Sequence, residues 1–268
     1  MSTEGPSINS TAALARLVFP LNVYALALHF EEGRATALHY GFDWTSGPIG
    51  DAQRRATDVL LARLPAPPRR VLEVGIGFGS LGRELTDRGY AYQGLCPDPA
   101  QVALARQCHP DLDVQGLAFQ DLPLREPCDL LLFQESAQYI DLRDILRIAA
   151  RVVAPGGSIV VADEVPATTL LALMQPGPQD GFKLAAVEDV TSRARGSLDY
   201  LIEAVFGHRP RILQAAGLHS HRLTALLHSL EQRRLAYRDG RHRYIIARLD
   251  RIDDSSQAPM GVAQQRLA

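Results

Sequence analysis

Lysine is almost absent from this sequence: Lys183 is the only one, and arginine carries nearly all the positive charge. We read that scarcity as the coding bias of a GC-rich genome, not as a binding signal. With 28 basic against 30 acidic side chains the net charge is −2, so no global field draws the chain to nucleic acid or acidic lipid. We expect neither a nucleic-acid nor a membrane partner. Cysteine is also sparse. Cys96, Cys108 and Cys128 form no Cys-x-x-Cys pair, which argues against a disulfide frame or structural zinc and for a reducing compartment. Long apolar runs are missing too: the most apolar early stretch, Leu17–Phe30, is short for a bilayer and holds Pro20, Asn22 and His29. The N-terminus lacks a basic region followed by an apolar stretch and a cleavage site, so a cytoplasmic location is expected. His219, His221 and His228 fall at or near one late helix with no carboxylate to complete a metal-binding pattern, so no metal is expected.

What is present centres on Arg69–Ser80. Val71, Leu72 and Val74 form the short apolar run of a strand buried on both faces, interrupted by Glu73. Gly75, Gly77 and Gly79 follow as Gly-x-Gly-x-Gly. Such glycines let the backbone turn sharply and approach a ligand closely. Ser80 is expected to cap the helix after them. The usual phosphate-binding spacing is Gly-x-Gly-x-x-Gly. Here the third glycine comes one residue early and a carboxylate precedes the turn, which suits a ligand with a positive amine and would repel a pyrophosphate.

From Arg70 onward strands and helices alternate, which predicts an α/β fold with a doubly wound, mostly parallel sheet. We place strands at Val71–Val74, Ala91–Cys96, Asp113–Leu117, Asp129–Phe133 and Ser158–Ala162, the last entered by a turn at Pro155-Gly156-Gly157. Helices are expected at Leu81–Arg88, Pro99–Gln107 and Leu142–Val153. A loose segment with Pro166, Pro176, Gly177 and Pro178 follows. Then come a strand near Phe182–Val190, helices near Gly196–Phe206 and Leu223–Arg234, and an antiparallel last strand at Arg243–Leu249. Before the core, residues 1–10 are polar and expected to fray. Thr11–Phe30 reads as a helix broken near Pro20, and Ile49–Leu64 as another, stopped by Pro65-Ala-Pro-Pro68. The expected organisation is a helical cap or lid over residues 1–64, a core over 65–250 with cap insertions after 163, and a disordered tail over 251–268.

Glu73-Val-Gly-Ile-Gly-Phe-Gly79 resembles motif I of the class I S-adenosylmethionine-dependent methyltransferases, and the resemblance extends over roughly Arg70 to Asp163. It implies the Rossmann-like methyltransferase fold, with S-adenosylmethionine as cofactor and the glycine turn against its methionine part. Glu73 then accepts hydrogen bonds at the turn or meets the cofactor's amino group. Cys96 falls where the family has the ribose-binding Asp or Glu. Asp98 either replaces that acid or caps the helix beginning at Pro99. The family's Asp near the adenine is also missing: Leu117 or Ala118 stands there, with Phe119 placed to stack on adenine and Asp121 close by. Gln134-Glu-Ser-Ala-Gln-Tyr-Ile-Asp141 is similar to the family's Glu-Ser-x-x-His-Ile-x-Asp segment at the reaction centre, which puts Tyr139 in the place of a His base. Gln134 and Glu135 belong to the same segment, and Glu135 is the alternative base if desolvated. Ala37-Leu-His-Tyr-Gly-Phe-Asp-Trp44 is similar to a lid segment of small-molecule members, so His39 and Tyr40 are read either as substrate and cofactor contacts or as an aromatic plug.

The resemblance implies methyl transfer to a small-molecule acceptor, in secondary metabolism. The missing acids and the Tyr139 replacement keep a second reading open, in which the fold serves non-methylating chemistry such as cyclisation. A third is a non-catalytic partner of an active paralogue. A homodimer, or a complex with another biosynthetic protein, is an open expectation.

Overall fold

The computed structural model describes residues 8–67, 69–123, 126–175 and 180–252. Three helices come first: α1 (Thr11–Leu14), α2 (Leu21–Glu32) and α3 (Ile49–Leu61). Residues 8–10 are held, not frayed: Ile8 is buried and pairs with Ala35 in an antiparallel bridge. The expected break near Pro20 separates α1 from α2.

The core then alternates: β1 (Arg70–Val74), α4 (Ser80–Asp87), β2 (Ala91–Leu95), α5 (Pro99–Cys108), β3 (Val114–Gln115), β4 (Cys128–Gln134), α6 (Leu142–Val152) and β5 (Val153–Pro166). It continues with α7 (Ala167–Leu173), β6 (Phe182–Asp189), α8 (Thr191–Gly207), α9 (Arg209–Ala216), α10 (Ser220–Arg238) and β7 (His242–Arg251). The sheet order is β3-β2-β1-β4-β5-β7-β6. Pairings from β3 to β5 are parallel, and β7 runs antiparallel to both its neighbours. The strand order reverses between β1 and β4, where crevices form in such sheets.

Side chains in β4 alternate between two cores, as a two-residue period requires. Leu130 and Leu132 join the core shared with the helical cover, while Leu131 and Phe133 face α6. The cover is composite. Residues of α2 and α3 share one continuous apolar core with residues of α8, α9 and α10.

Several expectations need correction. Pro155-Gly156-Gly157 does not precede β5 but lies inside it, at a register shift opposite Cys128 and Leu130. A Cβ at Gly157 would sit 2.8 Å from the Asp129 carbonyl oxygen, so the irregular stretch packs too closely for a side chain. Ser80 does not cap α4; the N-cap is Gly79 in the left-handed region, and Ser80 is the first helical residue. β3 is two residues long instead of five. α7 and α9 lie in stretches not assigned to helix from sequence. β7 takes in Arg251, the first residue of the expected tail. The rest of that tail from residue 253, and Pro176 to Pro178, lie outside the described residues. Among the described residues no helix is long and apolar enough to cross a membrane, and no group of His, Cys, Asp and Glu could hold a metal.

Candidate active site

β1 ends at Val74, and the chain turns through the three glycines into α4. Gly75, Gly77 and Gly79 have φ of +80°, +53° and +84°, where side chains are rarely tolerated. Their missing Cβ atoms serve different ends. One at Gly75 would lie 2.5 Å from Ser136 Cβ, so that glycine lets the end of β4 press against the turn. One at Gly79 would meet His109 and Leu112 at 3.1 and 3.2 Å, so that glycine lets the region after α5 pack close. One at Gly77 would meet nothing within 4 Å. Gly77 borders a cavity of about 440 Å³ outside the carboxyl ends of β1, β2 and β4.

Glu73 is also on that wall, only 1% exposed, and its Oε2 accepts a 2.6 Å hydrogen bond from the Tyr92 hydroxyl. Burial pushes its carboxyl up to about 7, against the pull of that bond. At the end of β2 the buried Cys96 thiol donates to Gln101 Oε1, and burial pushes it up to about 11. Asp98 has both oxygens engaged: Oδ1 accepts from the Ala100 amide at 2.9 Å and caps α5, and Oδ2 accepts from the Val18 amide at 3.0 Å. The helix-cap reading of Asp98 therefore holds, and the same carboxylate also ties the segment between α1 and α2 to the core. Both Cys96 and Asp98 line the cavity. Phe119 borders it too, buried and edge-on to Phe133 at 5.5 Å between centroids. Leu117 packs into the core beneath α6 instead. Of the residues expected around a cofactor, Gly79, Leu117, Ala118 and Asp121 are not on this wall.

Gln134 at the end of β4, with Glu135 and Tyr139 just after it, bound the cavity, as do His39 and Tyr40 from the segment between α2 and α3. Glu135 has φ +54°, a strained backbone for a non-glycine residue. Its Oε1 accepts from the Tyr40 amide at 2.6 Å and the Tyr244 hydroxyl at 2.8 Å. Burial, then the neighbouring Asp163, hold its carboxyl well above the usual carboxylate range. His39 Nδ1 donates to the Tyr40 carbonyl at 2.8 Å, and burial lowers its pKa, so the imidazole is neutral at neutral pH. Tyr139 stands largely exposed at the mouth, its hydroxyl raised by partial desolvation against the cavity walls and then by Glu135 and Asp163.

Four participants were not found from sequence. Tyr92, on β2, reaches Glu73 on the neighbouring β1. Ser136 fills the notch at Gly75 and its hydroxyl donates to the Val74 carbonyl. Asp163 is fully buried, accepts from the Gln138 and Glu164 amides at 3.0 and 2.7 Å, and is pushed up to about 7 by burial. Arg233, on α10, reaches the cavity from 94 residues beyond Tyr139 in the chain. Ser136 adjoins Glu135 in the chain, whereas Tyr92 adjoins no residue already singled out. The arginine carries no local signal, because α10 has many arginines and only packing tells them apart.

Residues 72–161 match the family model described as a methyltransferase domain. An uncharacterised methyltransferase of Mycobacterium tuberculosis is 30% identical over 97 residues, 36% of this chain and 40% of that protein. The malonyl-[acyl-carrier protein] O-methyltransferase of Enterobacter lignolyticus is 34% identical over 155 residues, 55% of this chain and 58% of that protein. The chain thus spans about half the length of these curated relatives. Among solved structures, the [4+2]-cyclase SpnF superposes with a TM-score of 0.70 at 22% identity, covering 92% of this chain and 98% of that one. Its likeness concerns the fold. The glycine turn, the strand order and the matched stretch agree: residues 72–161 form a methyltransferase domain.

Proposed function

We propose that this chain binds S-adenosylmethionine against the Gly75–Gly79 turn and transfers its methyl group to a small-molecule acceptor held under the helical cover. The observation that carries the reading is one continuous cavity, bordered by Gly77 and Glu73 on the sheet side and by Tyr24, Tyr40 and Tyr200 on the cover side. The methionine half fits: Gly77 leaves bare main chain facing open space, and Glu73 offers a buried carboxylate for an ammonium. The nucleoside half fits less well, because the Cys96 thiol and the Asp98 carboxylate both have protein partners. Phe119 and Gln120 are left to recognise that half.

Bound cofactor supplies an activated methyl on a sulfonium, so alignment and exclusion of water make up much of the catalysis. Within this chain, Glu135 holds the Tyr40 segment down onto the sheet, and that segment closes the acceptor side. Tyr139 at the mouth offers a hydroxyl donor or a ring face to a cation. None of the three residues expected to act at the reaction centre is a free base: His39 Nδ1 donates to the Tyr40 carbonyl and its Nε2 lies 3.4 Å from the Thr57 hydroxyl, Glu135 is engaged twice, and the Tyr139 phenol is raised. The acceptor is then one whose nucleophile needs little deprotonation. That same shortage supports the second reading, cyclisation of a bound substrate without methyl transfer, a chemistry that SpnF's name also states for that protein. A role in secondary metabolism and a cytoplasmic setting go with both readings.

Calorimetric titration with S-adenosylmethionine and S-adenosylhomocysteine tests the proposal. Micromolar-range binding of both is expected. No binding of either would overturn it, and binding without turnover of any acceptor would favour cyclisation.

A further inference from the structure

The cavity has a single Arg or Lys on its wall among the described residues, Arg233, and that charge is already spoken for. Its Nη1 lies 2.8 Å from Glu164 Oε1, and the Glu164 side chain is 4% exposed. Glu164 Oε2 accepts a 2.8 Å bond from the Tyr237 hydroxyl, so both carboxylate oxygens are satisfied. Burial disfavours the Glu164 charge, while Arg233 and Tyr237 favour it; Glu164 and the neighbouring tyrosine hydroxyls in turn hold the guanidinium charged. The other ionisable groups on the wall around it are Glu135, an acid, His39, which is neutral, and tyrosine hydroxyls, with the buried acid Asp163 behind them. No uncancelled positive charge is available to a bound anion there. The rest of that end is ring and aliphatic surface from Phe19, Tyr24, Leu28, Leu38 and Tyr200.

We propose that the chamber takes an uncharged, apolar ligand and rejects anionic ones, and that Glu164 is the residue that sets this selectivity by cancelling Arg233. An anion entering would lose its water and find only a guanidinium already paired with a buried carboxylate, which is costly in a low-dielectric site. The proposal rests on the chamber being the acceptor site of the reading above, but holds for either chemistry.

The test uses two matched pairs of probes, naphthalenemethanol with naphthoate and decanol with decanoate, titrated into the whole chain by calorimetry. The wild type is expected to prefer the alcohol of at least one pair by about 100-fold or more. Glu164→Gln keeps the shape but uncovers the guanidinium, and that preference should fall at least about tenfold. If the single variant fails to fold, Glu164→Met with Arg233→Met replaces the pair by apolar groups. There the preference for the alcohol should persist. Anions binding as well as alcohols to the wild type would overturn the proposal. So would binding of neither alcohol, an unchanged ratio in folded Glu164→Gln, or gained anion binding in the double variant. S-adenosylmethionine titrated into the same samples separates the two ideas: alcohol binding without cofactor binding sinks the methyl-transfer reading alone.

Discussion

The glycine turn yields a prediction that separates folding from binding within five residues. Gly75→Ala places a methyl 2.5 Å from Ser136 Cβ at φ +80°. The left-handed backbone costs about 1–2 kcal/mol, and the overpacked contact about 1–3 kcal/mol more. At about 2–4 °C per kcal/mol for a domain of this size, a loss near 3 kcal/mol lowers the melting temperature by about 6–12 °C. Gly77→Ala carries only the backbone cost, because its Cβ meets nothing, but that Cβ enters the space we assign to the cofactor. Its melting temperature should fall by about 2–8 °C, while S-adenosylmethionine affinity should fall at least about tenfold. The clash has a specific cure. In Gly75→Ala with Ser136→Gly the offending Cβ is gone, and the next Ser136 atom from the new methyl is Cα at 3.8 Å, an ordinary contact. A double-mutant cycle by chemical denaturation should therefore return a favourable coupling of about 1–3 kcal/mol. Strict additivity would refute the packing argument. Undiminished cofactor binding by Gly77→Ala would refute the assignment of that space.

Two further predictions concern the buried carboxyls. Glu135→Gln keeps an oxygen for the Tyr40 amide and the Tyr244 hydroxyl, so turnover should survive within about fivefold, whereas Glu135→Ala, which leaves both donors unpaired, should lose about 1–3 kcal/mol of stability and most activity; a dead but fully stable Gln variant would instead make Glu135 the base. Glu73, raised to about 7, must release a proton to meet an ammonium, so cofactor affinity should climb by up to about tenfold per pH unit between about 5 and 7 and level off above. The sign for stability is opposite: the raised carboxyl contributes fully below its unfolded pKa, and that contribution is lost as pH rises through about 7. Tyr92→Phe, which removes the donor to the ionised form, should move the affinity midpoint upward, and Glu73→Gln should abolish the slope; an unchanged profile in both variants would dissociate Glu73 from the ligand.

The parts of the fold governed by local pattern were legible. β1, α5 and β4 stand within one or two residues of their expected bounds, because apolar runs bounded by turn residues leave little freedom. The failures share a different cause. Ser80 was a plausible cap, but Gly79 in the left-handed region took that position, and a side chain had no role to fill. Pro155-Gly156-Gly157 has turn composition, yet pairing with β4 absorbs it as an irregularity within β5. For the candidate site, residues next to motif I and at strand ends could be named because topology alone delivers them to the crevice. Leu117 missed the wall because β3 is only two residues long and the chain leaves it before the expected end. Tyr92, Asp163 and Arg233 were invisible for want of any sequence pattern: each owes its place to a cross-strand neighbour or to the packing of a distant helix.

The roof of the cavity is sewn from both sides of the domain it covers. Gly41 exchanges two hydrogen bonds with Ser197, 156 residues away, and the Tyr40 amide is held by Glu135, 95 residues away. During synthesis the first helices therefore emerge with no surface to close against. Their apolar faces stay only partly matched, by the sheet, until α8 and α10 have left the ribosome. The chamber is thus among the last features to exist, and a nascent chain stalled before α10 would have its glycine turn but no enclosed space for a second reactant.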